Sequence, residues 1–162
     1  MSSSGASTQI CYFACHRRNL DDKRRVQIPS KWIGKSDDGK IIPVTYALLL
    51  WEHDGQPDMC LQVLPPDKFQ EFFREVTSVR FGDTAGQALK RALAEKMETV
   101  ELDSAGRIVL PEWLAAGAGL AVGKEAVLNG MFDCFQIWAP ERYEATRASV
   151  AAKTPNAFRQ IL

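Results

Sequence analysis

The chain lacks most of the sequence features by which enzymes are recognised. It contains only two histidines, His16 and His53, and neither belongs to a recognisable nucleophile motif. It has no G-x-x-x-x-G-K-[ST] or G-x-G-x-x-G segment, the glycine-rich loops that hold nucleotide phosphates. Since no catalytic constellation is evident, we predict that the chain is not an enzyme, takes no small-molecule substrate and needs no cofactor or metal.

Long hydrophobic runs and cysteine pairs are scarce as well. The longest uninterrupted apolar run, Tyr46–Trp51, is far too short to cross a bilayer. The serine-rich N-terminus has neither the basic region nor the apolar region of a signal peptide. None of the four cysteines forms a C-x-x-C pair. These absences predict a cytoplasmic protein without disulfides or membrane contact.

Net charge is also absent, because 20 basic and 20 acidic residues cancel. The balance hides an asymmetry along the chain. Residues 1–40 carry eight basic and four acidic side chains, so the rest of the chain is net negative. A neutral protein with one basic end presents a single face to a polyanion. Nucleic acid is therefore the partner that this distribution favours.

Two pairs of similar segments indicate a tandem duplication. LDDKRRVQIP (Leu20–Pro29) aligns without gaps with LDSAGRIVLP (Leu102–Pro111), 82 residues later. MCLQVLPPDKF (Met59–Phe69) aligns with DCFQIWAPERY (Asp133–Tyr143), 74 residues later. Two matches in the same order make a chance repeat improbable.

Each copy predicts the same series of short elements. A strand enters a charged turn, a second strand ends at a proline that opens a brief helix, and two more strands precede a closing helix. A polar stretch and a helix near Ala85–Glu95 join the copies. Neither copy offers a large core alone, so we expect one intertwined α+β domain. The predicted divisions are a disordered extension (1–9), a first module (10–79), a linker and helix (80–95), a second module (96–152) and a tail (153–162).

The twin segments resemble the signature of the MraZ family, the duplicated members of the AbrB-like swapped-hairpin superfamily. That signature is a D-x-x-x-R motif in each half, matched here by Asp21 with Arg25 and by Asp103 with Arg107. The resemblance covers roughly Tyr12–Arg147. It implies two pseudo-twofold related β-barrel modules with flanking helices, and assembly into a ring-shaped homo-oligomer.

The resemblance also implies a function. A member of this family is expected to bind double-stranded DNA at short direct repeats in its own upstream region. There it would regulate, often as a repressor, the cell-division and cell-wall gene cluster. Such a protein would be associated with the nucleoid.

The basic residues around the first motif indicate which side chains would contact DNA. Arg25 is the predicted base reader, because an arginine on a β-hairpin in the major groove can bind guanine O6 and N7. Asp21 is expected to brace the loop. Supporting phosphate or base contacts are predicted for Arg24, Lys23, Arg18, Arg17 and His16. Arg107 lacks neighbouring cations, so a structural pair with Asp103 is predicted there.

Two alternatives remain open from the sequence. Arg25 could serve only to pair with Asp21 or Asp22 and so stabilise the fold. The chain could also be an antitoxin-like protein-interaction module of the same superfamily that reads no DNA itself. Only Lys153–Leu162 extends beyond the last predicted helix, which is short for a segment that wraps a toxin.

One position departs from the family pattern. The glycine before the motif arginine is kept as Gly106 in the second copy but is Arg24 in the first. If the turn needs a positive φ, an arginine there costs about 1 kcal/mol or more. We therefore expect the first turn to have an adapted geometry.

Overall fold

A computed structural model describes residues 9–53 and 56–161 and shows a mixed α+β fold, as the sequence predicts. Residues 1–8, for which we predict disorder, lie outside the described residues. The strands are β1 (Cys15–Asn19), β2 (Arg25–Gln27), β3 (Thr45–His53), β4 (Gln56–Leu64), β5 (Met97–Glu101), β6 (Arg107–Val109), β7 (Glu125–Gly130) and β8 (Phe135–Trp138). The helices are α1 (Pro66–Thr77), α2 (Thr84–Ala94), α3 (Glu112–Gly117), α4 (Pro140–Ala151) and α5 (Thr154–Ile161), with a 3-10 turn at Ser30–Trp32. Of the described helices, none is long and apolar enough to span a membrane.

The strands form two antiparallel sheets. The larger sheet has six strands in the order β1-β7-β8-β4-β3-β5, and the smaller sheet pairs β2 with β6. When the strand order is read from the opposite edge, each strand is replaced by its counterpart from the other half of the chain. The counterparts are β1 and β5, β3 and β7, and β4 and β8. Aligned positions face each other at the centre, where Gln62 pairs with Gln136 and Val26 pairs with Ile108. The strand order is therefore the one that a pseudo-twofold arrangement requires.

The two halves of the chain exchange their first strands. β1 pairs with β7 of the second half, and β5 pairs with β3 of the first half. In these ladders His16 lies opposite Leu128, and Tyr46 lies opposite Val100. Because each half supplies an edge strand to the other, neither half completes its sheet alone.

The predicted β-barrel is not closed within the described residues. β1 and β5 remain the two edges of the six-stranded sheet and share no ladder. β2 and β6 leave tight turns and pair with each other, so they do not bridge the two edges. The barrel expectation is wrong in this respect, and the fold is an open sheet faced by a two-stranded ribbon.

The main hydrophobic core joins the six-stranded sheet to this ribbon. Leu48 of the sheet and Val26 and Ile108 of the ribbon are fully buried in it. Burial of each such side chain contributes roughly 1.5–3 kcal/mol. Trp32 packs on Phe135 in the same core, with ring centroids 4.9 Å apart. The ribbon, from which the two turns extend, is therefore held against the sheet by this core.

Helices α1 and α4 pack against other residues of the six-stranded sheet. Pro66 and Pro140 lie in their first turns, where proline's fixed φ suits a helix start. Phe69 and Phe72 of α1 pack beside Leu64, and Tyr143 of α4 packs against a separate cluster around Trp138. The two helices thus cover the face of the sheet that the ribbon leaves open.

The segment predicted as a C-terminal tail is largely helical. α5 follows α4 directly and contacts it. The hydroxyl of Thr154 donates a hydrogen bond of 3.0 Å to the carbonyl of Val150 at the junction. The side chain of Ile161, near the end of α5, is 81% exposed.

Candidate nucleic-acid interface

The first D-x-x-x-R motif forms a tight turn between β1 and β2. The N–H of Arg24 donates to the carbonyl of Asp21 at 3.0 Å, and the N–H of Asp21 donates to the carbonyl of Arg25 at 3.1 Å. The carboxylate oxygen Oδ1 of Asp21 accepts the N–H groups of Lys23 at 2.9 Å and Arg25 at 2.8 Å. An aspartate at the first position of a turn thus closes the loop from inside.

The same aspartate holds the arginine of the motif. Nε of Arg25 donates to Oδ2 of Asp21 at 2.6 Å, and the two side chains are 27% and 34% exposed. The backbone N–H of Arg25 does most to lower the pKa of Asp21 below its ordinary value, and the Arg25 guanidinium lowers it further. The pair uses Nε, and among the described residues no hydrogen bond engages the two Nη groups of Arg25.

The second motif repeats this geometry. Oδ1 of Asp103 accepts the N–H groups of Ala105 and Arg107, both at 2.9 Å, and Oδ2 accepts Nε of Arg107 at 3.2 Å. Burial alone would raise the pKa of Asp103, but the N–H groups of Arg107 and Ala105 and the guanidinium of Arg107 together lower it below its ordinary value. Arg25 and Arg107 are therefore alike in pairing, and only their surroundings distinguish them.

The expectation of an adapted first turn is wrong. Arg24 has φ +60° and Gly106 has φ +80°, so both turns use the left-handed conformation at the same position. The side chain of Arg24 reaches the other half of the chain, where Nε donates to the carbonyl of Leu110 at 3.0 Å. The N–H of Leu110 returns a bond of 2.8 Å to the carbonyl of Arg24. This double contact keeps a strained arginine in place and directs its Nε toward the ribbon.

The predicted cations of β1 are divided between two faces of the strand. Alternate side chains of a strand point to opposite sides, and burial alternates along β1 accordingly. Arg17 donates to Glu125 at 2.7 Å and to Glu144 of α4 at 2.9 Å. The structure therefore brings His16 and Arg18 to one side and separates Arg17 from them.

His16 packs edge-on against Trp32, with ring centroids 5.1 Å apart. Burial lowers the pKa of His16 below its ordinary value, and the charges of Arg18 and Lys31 lower it further. Lys31 is absent from the predicted set, although its charge reaches His16. Its only signal in the sequence was the basic surplus of residues 1–40, because its position relative to His16 depends on the 3-10 turn after Pro29.

The second half carries no comparable positive charge around its motif. The positions aligned with the five supporting residues hold Glu98, Thr99, Val100, Ala105 and Gly106. The first turn, in contrast, exposes Lys23 beside Arg24 and Arg25. A rigid hairpin turn with several cations can contact DNA phosphates and base edges, and only the first turn has this composition.

Comparison with known proteins identifies the family. Residues 93–160 match the family model described as "MraZ protein, putative antitoxin-like". A protein of Thermomicrobium roseum named "Transcriptional regulator MraZ" is 34% identical over 88% of this chain and 91% of its own length. Proteins of the same name from Thermus thermophilus (29% identical; 88% and 92% covered) and an Acidovorax strain (30%; 88% and 93%) are also similar.

These matches confirm the resemblance that the paired D-x-x-x-R motifs indicate. They extend over most of the chain and most of each relative, so they are not confined to the motif segments. The chain belongs to the MraZ family.

Proposed function

We propose that the chain is a transcriptional regulator that binds double-stranded DNA sequence-specifically through the turn Asp21–Arg25. Its relatives carry the name of transcriptional regulator. We also propose that the chain consists of two duplicated modules, assembles into a ring-shaped homo-oligomer and is associated with the nucleoid. It would bind direct repeats in its own upstream region and repress a cell-division and cell-wall gene cluster.

The observation that carries this proposal is the way Asp21 presents Arg25. The carboxylate binds Nε at 2.6 Å and fixes the guanidinium relative to the backbone of the turn. The two Nη groups remain available to donate, and two parallel N–H donors are what guanine O6 and N7 accept. Lys23 is exposed in the same turn and can neutralise a phosphate.

The roles of the supporting residues follow from their positions. Lys23, Arg18 and Lys31 are proposed as phosphate contacts. Arg24 contributes by fixing the turn, since its Nε is bound to Leu110. Arg17 contributes least, because two carboxylates already neutralise it. His16, which packs on Trp32 beside Arg18, is proposed as a hydrogen-bonding contact.

The test is a gel shift with the chain's own upstream DNA at two salt concentrations. Arg25→Ala should weaken the specific complex about tenfold or more, which corresponds to the loss of one bidentate base contact. Arg107→Ala is the matched control, because it breaks the same type of aspartate pair in a turn without other cations. It should leave the complex largely intact.

Thermal unfolding of both variants distinguishes a loss of base recognition from a loss of stability. The two substitutions should lower the melting temperature by similar amounts, since both pairs join the same atoms across the same kind of turn. Equal loss of DNA binding in both would show that the pairs only stabilise the fold. Absence of binding by the unaltered protein at low salt would refute the DNA-binding proposal.

A protein-interaction module is the second candidate. The description "antitoxin-like" of the matching family model favours it, as does α5, which ends in the exposed Ile161. Purification of the chain from its own cells with a stoichiometric small partner, together with no DNA binding, would establish this alternative.

A further inference from the structure

Asp22 is one of the two central residues of the first turn. Together with Lys23 it forms the centre of the four-residue turn that the bond between Arg24 and Asp21 closes. Its side chain is exposed. Among the described residues no hydrogen bond or ion pair engages its carboxylate, in contrast to that of Asp21, which accepts three bonds.

The turn does not need this carboxylate for its structure. The second turn carries Ser104 at the aligned position, and Asp103 still makes the same three bonds that Asp21 makes. Asp22 therefore has no bracing role that the fold requires. Its exposed carboxylate is instead available to whatever the turn meets outside the molecule.

A carboxylate at this position opposes binding to the DNA backbone. It lies between cations that attract phosphates, and it would be repelled by the same phosphates. The cost is avoided only where the carboxylate accepts a hydrogen bond from DNA. In the major groove the donors are exocyclic amino groups, and aspartate characteristically accepts from N4 of cytosine.

We propose that Asp22 is a specificity-determining residue that accepts a hydrogen bond from the N4 amino group of a cytosine in the target repeat. Where no such amino group is present, its charge weakens binding. The inference rests on the proposed DNA-binding function of the turn. It adds a second base contact next to the guanine contact of Arg25, and it supplies discrimination against unrelated DNA.

The experiment combines one substitution with a set of DNA duplexes. Each C·G pair of the upstream repeat is replaced in turn by T·A, and dissociation constants are measured for the unaltered protein and for Asp22→Asn. The unaltered protein should lose affinity at the pair whose guanine Arg25 contacts, and also, by about fivefold or more, at a second pair where thymine O4 faces the Asp22 carboxylate. Asp22→Asn should lose no affinity at that second pair, because its amide can donate a hydrogen bond to thymine O4.

A scrambled duplex of the same composition provides the second readout. Asp22→Asn should bind it more tightly than the unaltered protein, because one repulsive charge is gone. Asp22→Ser introduces the residue type that the second turn has at this position. It serves as a second variant in case asparagine alone disturbs folding. Ser104→Asp is the matched control and should change neither readout.

The outcomes distinguish the two levels of the proposal. If the unaltered protein prefers the repeat but Asp22→Asn keeps the same losses at every position, the cytosine contact is refuted and the DNA-binding function stands. If Ser104→Asp shifts base preference as strongly as Asp22→Asn, the assignment to the first turn is refuted. If the unaltered protein binds repeat and scrambled duplexes equally, both proposals fail.

Discussion

Arg24 shows how a single residue can combine backbone strain with a compensating contact. A non-glycine residue in the left-handed region costs roughly 1–2 kcal/mol, and Gly106 avoids that cost at the equivalent position. The hydrogen bond from its side chain to Leu110 offsets part of the strain. The residue therefore links the turn of one half to the strand end of the other.

Substitution at this position separates the two effects. Arg24→Ala removes the hydrogen bond and keeps the strain, whereas Arg24→Gly removes both. We expect Arg24→Gly to be more stable than Arg24→Ala by about 1 kcal/mol in urea unfolding, because glycine accepts a positive φ.

Gly106→Ala serves as the control for this comparison. A Cβ at Gly106 would lie 2.8 Å from Nε2 of Gln27 and 2.9 Å from Cδ1 of Ile33. The variant should therefore lose more stability than backbone strain alone predicts. Equal stability of Arg24→Ala and Arg24→Gly would show that the first turn relaxes when the arginine is removed.

At the scale of the elements, a polar network joins the two central strands. Nε2 of Gln136 donates to Oε1 of Gln62 at 3.0 Å, and Nε1 of Trp138 donates to Oε1 of Gln136 at 2.9 Å. Nε2 of Gln62 contacts the sulfur of Cys134 at 3.1 Å. Gln136 is only 8% exposed, so its amide depends on these partners. A polar pair at aligned positions favours one register of β4 against β8.

Gln62→Leu should destabilise the protein by about 1–3 kcal/mol, because the buried amide of Gln136 loses its acceptor. Urea unfolding measures the change. Gln70→Leu makes the same substitution at an exposed position of α1 and should stay within about 0.5 kcal/mol of the unaltered protein. Similar values for the two variants would mean that the network contributes no stability.

At the scale of the whole molecule, the exchange of first strands makes the halves interdependent. β1 and β5 are the edges of one sheet, yet each is attached to strands of the other half. The two edges also differ in charge, since β1 reads CHRRN and β5 reads METVE. The strand order is therefore symmetric, whereas the charges of the two edges differ. Only the basic edge, β1, has the charge that attracts a polyanion.

This interdependence predicts that fragments 1–79 and 80–162 are unfolded separately and fold when mixed. Each fragment alone lacks the strand that covers its own sheet edge, and Val26 and Ile108 would lose each other as buried partners. Circular dichroism and size-exclusion chromatography of the fragments and their mixture provide the measurement.

The cut lies beside Phe81, whose side chain is 94% exposed, so it should not damage the core. A stable fold of either fragment alone would contradict the prediction. Such a result would mean that the module boundaries proposed from the sequence mark independent domains.

Local features of this protein could be predicted from the sequence because they depend on neighbouring residues. The helix near Ala85–Glu95 is found as α2, and the brief helix after Pro111 is found as α3. The aligned segments show which residues are equivalent, and equivalent residues pair across the centre of both sheets. Membership of the MraZ family likewise follows from motifs that can be read along the chain.

Other features were decided only by the tertiary structure, because they depend on contacts between distant residues. The pairing of Arg17 with Glu125 and the bond from Arg24 to Leu110 each join residues more than 80 positions apart. The sheet also stays open because β1 and β5 lie at its opposite edges. The sequence by itself determined two equivalent turns and an unequal distribution of charge. The fold decided which cations of the first half pair with carboxylates, because strand alternation and the neighbouring carboxylates are set by packing.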